Sequence, residues 1–234
     1  MTMLEIPELD VAARTAQWRL AEVQLLNWGT FDGLHRVPIA RKGQLITGGS
    51  GSGKSSLLDG IAAVLTPDGL LQFNAAAQGA GAVRGDRSVV SYVRGAWSKA
   101  ADEEQDRVVS RYLRPGTVVS GLLLRYEDGS DAVVTLARLM FLKGTSTDKG
   151  DLRDAYLLEL GDLDLDRLRG FVTSQANGID TRGLQRAFPK AVLTTSGKHA
   201  KFYARLGSVL GISGDNALQL LHRTQSAKNL GSLD

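Results

Sequence analysis

The sequence predicts an α/β fold, and three features of its 234 residues support that prediction. A short apolar segment at residues 44–47 leads directly into a glycine-rich loop, and an amphipathic helix follows the loop. Two β-rich segments, at residues 118–126 and 132–142, flank a Glu-Asp-Gly-Ser-Asp turn and so predict a β-hairpin. Apolar residues at helical spacing dominate the C-terminal part of the chain.

The N-terminal elements follow from local patterns. Residues 19–28 alternate partly between apolar and polar side chains, as a half-buried strand does, and residues 31–40 form a second strand. Pro38 indicates an edge strand or the end of a strand rather than a central strand, because proline has no amide hydrogen to donate. The helix after the glycine-rich loop ends before Pro67. Residues 66–88, rich in Ala, Gly and Arg, predict an irregular loop.

The rest of the chain predicts one further strand and several helices. The strand is expected at residues 156–160, after a polar stretch. The helices are expected at residues 165–172, 184–188 and 202–210, and from residue 215 onward.

Composition restricts the class of protein. The chain is 43% hydrophobic and 23% charged, as globular proteins are, and its net charge of +3 favours anionic partners only slightly. It has no cysteine, which excludes disulfides, a thiolate nucleophile and cysteine-ligated zinc. The N-terminal segment lacks the features of a secretory signal, and no apolar run approaches the roughly 18 residues of a membrane helix. We therefore expect a cytoplasmic protein.

One motif carries chemistry: residues 48–55 read Gly-Gly-Ser-Gly-Ser-Gly-Lys-Ser and fit the Walker A (P-loop) pattern G-x-x-x-x-G-K-[ST]. In such a loop the backbone amides and the helix N-terminus bind phosphate groups. Lys54 is expected to reach the β- and γ-phosphates, and the Ser55 hydroxyl to coordinate magnesium. The predicted cofactors are ATP and Mg²⁺. The predicted nucleotide-contacting residues are Gly48, Gly49, Ser50, Gly51, Ser52, Gly53, Lys54, Ser55 and Ser56.

Other features narrow the class of P-loop protein. A GTPase needs a guanine-reading Asn-Lys-x-Asp motif, and the segment from Asn177 to Asp180 lacks the lysine. Small-molecule kinases usually place the P-loop very near the N-terminus, whereas here an antiparallel strand pair is predicted before it. That order favours an ABC-type ATPase.

The segment at residues 25–31, followed by strands that lead into Gly-Gly-Ser-Gly-Ser-Gly-Lys-Ser-Ser-Leu-Leu-Asp-Gly-Ile, resembles the opening of SMC-like ATPases. It is most similar to MukB-type and Wadjet-type members, particularly the JetC subunits of Wadjet plasmid-defence complexes. Residues 84–95 and 217–234 resemble the same proteins. The resemblance implies the N-terminal lobe of an ABC/SMC-type ATPase head, with a RecA-like core and an antiparallel β-subdomain. Residues 1–18 would be an extension and 19–234 the P-loop lobe, with the coiled coil and the C-terminal lobe absent.

The resemblance also implies roles for single residues. Gln225 stands where the Q-loop glutamine would be, so it would contact magnesium and sense the γ-phosphate, with Lys54 as the other catalytic residue. Arg84 or Arg87 could contact nucleotide or DNA, and the sequence does not choose between them. Asn27 would lie near the adenine, while a structural role is expected for the aromatic residues that follow it.

Two motifs of a complete ABC-type ATPase are not found. No four apolar residues precede an Asp-Glu pair, and the nearest candidate, ending at Glu159, has the wrong residues. There is also no Leu-Ser-Gly-Gly-x signature. We therefore expect this chain to bind ATP weakly and hydrolyse it negligibly alone, with turnover only when a C-terminal lobe is supplied and two heads enclose ATP.

The predicted function is ATP-dependent engagement of SMC-like heads, which in the family drives DNA loop extrusion and, in Wadjet systems, plasmid restriction. The alternatives are a MukB-like condensin, a recombination-type SMC relative and, in another class, a non-catalytic nucleotide-binding assembly module. The expected partners are a second head in a homodimer, the C-terminal head lobe, kleisin and accessory subunits, and DNA, but no membrane. The expected location is the cytoplasm, at the nucleoid.

Basic residues form two moderate groups that allow either of two interpretations. A solvated face explains them, and the resemblance leaves phosphate-directed DNA contact open. The groups are Arg84, Arg87, Arg94, Lys99, Arg107, Arg111 and Arg114, then Lys190, Lys198, Lys201 and Arg205.

Overall fold

A computed structural model describes residues 17–49, 51–73, 87–102, 107–173, 178–195, 197 and 199–212 of the chain. The strands are β1 (Arg19–Trp28), β2 (Phe31–Pro38), β3 (Ala96–Asp102), β4 (Arg107–Tyr112), β5 (Val118–Glu127), β6 (Val133–Leu142), β7 (Arg153–Glu159), β8 (Val172–Thr173), β9 (Gly178–Ile179) and β10 (Val192–Thr195). The helices are α1 (Lys54–Leu65), α2 (Val89–Arg94), α3 (Leu165–Leu168), α4 (Thr181–Ala187) and α5 (Ala200–Leu210). None of these described helices has both the length and the apolar composition needed to cross a membrane.

The main sheet has six strands in the order β10-β7-β6-β5-β1-β2, and its neighbouring strands are antiparallel. Strands β5 and β6 form the predicted hairpin, with Val118 opposite Leu142 at its open end. Strand β2 lies at an edge of the sheet, as Pro38 predicts. A mixed α/β fold with an antiparallel sheet is therefore confirmed, while the RecA-like core stays a prediction.

Side chains alternate between the two faces of this sheet, and each face has its own apolar core. Leu122 and Leu124 of β5 belong to the first core, whereas Leu123 between them belongs to the second. The first core packs against α1, α2 and α5, and the second against α3 and α4. The glycine-rich loop belongs to the first face, because α1 follows it directly.

Helix α1 forms where the glycine-rich loop ends. Of the predicted apolar face, Leu57, Ala62, Val64 and Leu65 are buried, whereas Leu58 is wrongly assigned to it and is 51% exposed. The helix ends at Leu65, because the backbone turns extended at the next residue and Pro67 cannot continue a helix.

The predicted strand at residues 44–47 is wrong for the described structure. Residues 43–49 form an irregular connection, because no described strand lies beside them to complete a hydrogen-bond ladder. Leu45 in this connection is 87% exposed. The segment that leads into the glycine-rich loop therefore presents an apolar side chain to solvent.

Three elements between α1 and β5, one helix and two strands, are not predicted from sequence. Helix α2 begins with a capping box in which the Ser91 amide donates to Ser88 Oγ at 3.1 Å and the Ser88 amide donates to Ser91 Oγ at 2.9 Å. Gly95 ends the helix, and the chain continues into β3 and β4, which pair only with each other in the described sheets. This β3–β4 hairpin is separate from the main sheet.

The interpretation of the basic residues as a solvated face is wrong for Arg94 and Arg114, which are both buried. Their guanidinium groups donate to backbone carbonyls inside the protein, which replace the water that an exposed arginine would bind. Lys190, Lys201 and Arg205 are exposed, as that interpretation predicts.

Candidate nucleotide-binding site

The loop before α1 has the backbone of a phosphate-binding turn. Gly51 and Gly53 have φ of 79° and 90°, values that residues with a side chain rarely adopt. The Leu57 amide donates to the Gly53 carbonyl at 2.9 Å and so closes the first helical turn. In the described structure no side chain caps this end of α1, and its first turn contains no acidic residue. The amides at the start of the helix therefore have no side-chain acceptor of their own.

Lys54 is held over the loop that precedes it. Its Nζ donates to the Gly48 carbonyl at 2.5 Å, to the Gly49 carbonyl at 2.7 Å and to Ser52 Oγ at 3.2 Å. Among the described residues no carboxylate forms an ion pair with this ammonium group. Because carbonyls are weaker partners than phosphate oxygens, the ammonium group can exchange these bonds for an anionic ligand.

The turn between β1 and β2 supports the start of α1 from behind. The Trp28 indole is fully buried and donates from Nε1 to the Ser56 carbonyl at 2.9 Å. A Cβ atom added at Gly53 would lie 3.0 Å from the Phe31 ring and 3.2 Å from Thr30 Oγ1. Gly53 is therefore favoured by this close contact as well as by its φ.

The two serines after Lys54 differ in exposure. Ser55 is partly exposed, as the magnesium ligand predicted from the motif must be, whereas Ser56 is buried beside the β1–β2 turn. The expected structural role of Trp28 is confirmed, because its ring stacks on Tyr92 at 4.7 Å within the core.

The opposite end of α1 is closed by protein groups. Arg138 donates from Nη1 to the Ala63 carbonyl at 2.9 Å, and the Tyr156 hydroxyl reaches the same oxygen at 3.4 Å. The Tyr203 hydroxyl donates to the Val64 carbonyl at 3.4 Å. A guanidinium and two phenols from β6, β7 and α5 thus satisfy carbonyls at the C-terminus of the helix.

Arg87 packs against α1 through Asp59 and Tyr92. Its Nη1 lies 3.4 Å from Asp59 Oδ2 and 2.9 Å from the Tyr92 hydroxyl, and that hydroxyl also donates to Asp59. Burial raises the pKa of Tyr92, and the Asp59 carboxylate raises it further, so the hydroxyl keeps its proton and remains a donor. Sequence reasoning did not identify Asp59, although an acid on the buried side of a helix is a signal that it has a partner.

The Asn27 side chain is engaged by backbone. Its Nδ2 donates to the Val119 carbonyl at 2.8 Å, and its Oδ1 accepts from the Gly33 amide at 2.8 Å. With φ of 49°, the residue makes the turn from β1 toward β2. Asn27 therefore lies beside the β1–β2 turn, and both polar atoms of its side-chain amide are hydrogen-bonded to backbone.

Three of the predicted site residues lie outside the described residues: Ser50, Arg84 and Gln225. The helix expected from residue 215 onward also lies outside them. The remaining predicted residues of the motif come together at the start of α1, with Asn27 close by through the β1–β2 turn.

A separate concave region lies on the face of the sheet opposite α1 and is lined mainly by charged side chains. It encloses about 380 Å³ between β1, β2, β5 and the loop before α3. Arg36 pairs with Asp164 at 2.5 Å and Arg125 with Asp162 at 2.9 Å. These ion pairs neutralise Arg36 and Arg125, and the carboxylates of the lining disfavour an anionic ligand, so the P-loop is the better candidate phosphate site.

Comparison with known proteins agrees with this geometry. Residues 20–80 match a family model described as the P-loop containing region of AAA domain. The matched segment includes β1, β2, the glycine-rich loop and α1, and it does not distinguish among families of P-loop NTPases. No curated protein matches the chain. Residues 20–80 thus form a P-loop nucleotide-binding region. The sequence motif, the loop geometry and the family comparison all agree on this.

Proposed function

We propose that this chain is the N-terminal, ATP-binding lobe of an SMC-like ATPase head. The observation that carries the proposal is the start of α1, where a glycine turn, an uncapped helix N-terminus and Lys54 converge. These groups match the charge and shape of a polyphosphate. In this proposal the amides of residues 48–56 bind the phosphates, Lys54 neutralises the β- and γ-phosphates, and the Ser55 hydroxyl holds Mg²⁺.

The other predicted site residues are assigned roles around the P-loop. Asn27 and the β1–β2 turn lie on the adenine side, and Gln225 completes the magnesium shell. The Arg87 guanidinium, held by Asp59 and Tyr92 against α1, contacts nucleotide or DNA together with or instead of Arg84. Lys54 and Gln225 are the residues proposed to act in hydrolysis.

The irregular connection before the P-loop supports the idea that a second lobe packs here. Residues 43–49 have no ladder partner among the described strands, and Leu45 is largely exposed. A C-terminal lobe that adds a parallel strand beside this segment would cover Leu45 and build the RecA-like core. That lobe would also supply the Walker B carboxylates, so hydrolysis requires it.

In the full assembly, two such heads would enclose ATP and drive DNA loop extrusion with kleisin and accessory subunits. A Wadjet-type plasmid-restriction role is proposed first, and a MukB-like or recombination-type role is the alternative within this class. In the other class, the chain is a nucleotide-binding assembly module that never hydrolyses ATP. Lys54 is equally necessary for nucleotide binding in both classes, so turnover separates them.

The test is ATP binding and turnover by the purified chain, alone and with a polypeptide that carries the C-terminal lobe. The chain alone is expected to bind Mg-ATP without hydrolysing it, and turnover is expected only in the reconstituted sample. Lys54→Ala should lower the affinity for Mg-ATP about 100-fold, the effect of losing a charged hydrogen-bond donor worth about 3 kcal/mol.

Lys149→Ala is the matched control. Lys149 is 70% exposed and lies 3.8 Å from Asp68, so its loss should change neither stability nor nucleotide affinity. Robust turnover by the chain alone would contradict the assignment as one lobe. Reconstitution without turnover would favour the assembly module.

A further inference from the structure

Arg114 lies two residues after the end of β4 and is only 8% exposed. Its guanidinium reaches two parts of the chain that are distant in sequence, the β1–β2 turn (residues 29–31) and the end of α2. The bonds run from Nε to Val93 O at 2.9 Å, from Nη2 to Gly29 O at 2.8 Å and to Tyr92 O at 3.1 Å, and from Nη1 to Phe31 O at 3.4 Å. One side chain therefore joins these two segments.

Burial makes these bonds necessary. It lowers the pKa of the Arg114 guanidinium, and the carboxylate of Asp32 offsets this only in part, because it is 3.5 Å away and 78% exposed. The carbonyl groups thus supply most of the solvation that the buried charge lacks. An arginine is suited to this role because its five donors are fixed in one plane, whereas lysine has a single ammonium group.

The β1–β2 turn is packed tightly against the start of α1. Gly29 has φ of 56°, and a Cβ atom added there would lie 2.8 Å from Ser56 Oγ and 3.0 Å from Tyr92 Cδ1. On the other side, a Cβ atom added at Gly53 would lie 3.0 Å from the Phe31 ring, which is a tight contact. Because the turn and the first turn of α1 approach this closely at both glycines, we expect a shift of the turn to be transmitted to residues 53–56.

We propose that Arg114 is a positioning residue for the nucleotide site. It holds the β1–β2 turn through Gly29 and Phe31, and the turn holds the first turn of α1, so that the P-loop amides keep the geometry that phosphate requires. Arg114 itself touches no residue of the motif in the described structure. The proposal rests on the proposed function, since it concerns the affinity of the same P-loop for Mg-ATP.

The same residue anchors the β3–β4 hairpin. At the base of the hairpin the Leu113 amide donates to the Gly95 carbonyl at 3.1 Å, and the Arg114 amide donates to the Arg94 carbonyl at 3.0 Å. The backbone of Arg114 closes the hairpin while its side chain holds the β1–β2 turn. Nucleotide site and hairpin thus share one anchoring residue.

The experiment compares Arg114→Met with Arg125→Met. Arg125 is the matched control, because it is a partly buried arginine whose partners, Glu127 and Asp162, lie neither in the β1–β2 turn nor in the P-loop. Arg114→Met should lower the affinity for Mg-ATP about tenfold, as expected for lost charge-assisted bonds. Hydrogen exchange at the amides of residues 53–56 in the nucleotide-free protein should become faster. Arg125→Met should leave both quantities unchanged.

A second variant covers the case in which Arg114→Met does not fold. Arg114→Lys keeps the positive charge but not the planar set of donors, so its affinity and its exchange at residues 53–56 should lie between those of the methionine variant and the wild type. Faster exchange confined to residues 92–95, with unchanged affinity and unchanged exchange at 53–56, would overturn the proposal. If the wild type binds no nucleotide, the proposed function fails, and exchange at residues 53–56 still decides whether Arg114 positions the loop.

Discussion

The two ends of helix α1 differ in the groups around them: a glycine precedes its start, whereas an arginine and two tyrosines contact the carbonyl groups at its C-terminal end. At its start, Gly53 offers no side chain, and Lys54 is bonded to loop carbonyls. At its end, Arg138 and two buried tyrosines reach the carbonyls of Ala63 and Val64. Both ends of any helix leave backbone groups unsatisfied, yet among the described residues side chains satisfy them only at the C-terminal end of α1.

The C-terminal end of α1 therefore contributes mainly to stability, and the N-terminal end is left for ligand binding. The C-terminal end is tied to β6, β7 and α5, so its interactions fix the helix against the sheet. The N-terminal end keeps its amides and the positive end of the helix dipole for a ligand. Substitutions at the two ends should therefore affect different quantities: the free energy of unfolding at one, and nucleotide affinity at the other.

The largest effect is expected at the C-terminal end, from Arg138→Met. Arg138 is fully buried, and its Nη2 lies 2.8 Å from Asp154 Oδ2. Removing it leaves a buried carboxylate without its cation, which costs about 3–5 kcal/mol. Urea unfolding measures the loss.

A control is Arg169→Met, which removes an exposed arginine paired with Asp166 and should change stability by less than about 1 kcal/mol. A loss as small as this for Arg138→Met would mean that the C-terminal end does not anchor the helix.

An intermediate, pH-dependent effect is expected from Asp154→Asn. Burial alone would raise the pKa of Asp154, but the His199 hydrogen bond and the Arg138 guanidinium outweigh it, so the pKa lies below its ordinary value of 3.8. A carboxyl group with a lowered pKa stabilises the fold above its unfolded pKa and loses that contribution as the pH falls through the folded pKa. The variant should lose about 2 kcal/mol at pH 7.

Unfolding free energies across pH 7 to 2 check this expectation. The difference between wild type and variant should be constant down to about pH 4 and shrink below it, as the carboxyl group of the wild type takes up a proton. A difference that grows as the pH falls would contradict the stated direction of the shift.

The smallest effect on stability is expected at the N-terminal end, from Gly53→Ala. A residue with a side chain at φ of 90° is strained, and the new Cβ atom would contact the Phe31 ring. The cost to folding is about 1–2 kcal/mol, and nucleotide affinity should fall as well because the first amides of α1 move. Gly69→Ala, beyond the other end of α1, is the control: a Cβ atom added at Gly69 would meet no described atom within 4 Å outside its chain neighbours, so the methyl group should be tolerated. Equal effects of the two substitutions would remove the distinction between the ends.

The fold could be predicted where the signal is local. Strands β1, β2, β5, β6 and β7 and helices α1 and α5 follow from periodicity and from Gly and Pro punctuation. The β3–β4 hairpin could not, because its segment reads as a run of mixed charges. The strand expected at residues 44–47 fails for a different reason: a strand exists only with a neighbour, and its own sequence does not specify one.

The candidate site likewise has one part that the sequence predicts and another that it does not. The P-loop is contiguous, so its motif is visible in the sequence. The network of Asp59, Tyr92 and Arg87 joins α1 to residues some 30 positions away, and Arg114 meets Gly29 across 85 positions. Such contacts depend on the fold, and the sequence does not distinguish an arginine that donates mainly to backbone carbonyls from a solvated one. Burial is what separates Arg94 and Arg114 from the exposed basic residues.

The most direct test of the account is a crystal structure of the chain with a non-hydrolysable Mg-ATP analogue. The account predicts phosphate oxygens within about 3 Å of the amides that begin α1, with Lys54 Nζ moved from the loop carbonyls to the phosphates and Ser55 Oγ on the metal ion. The C-terminal end of the helix should be unchanged. An empty P-loop at saturating analogue, with Lys54 still bonded to Gly48 and Gly49, would contradict it.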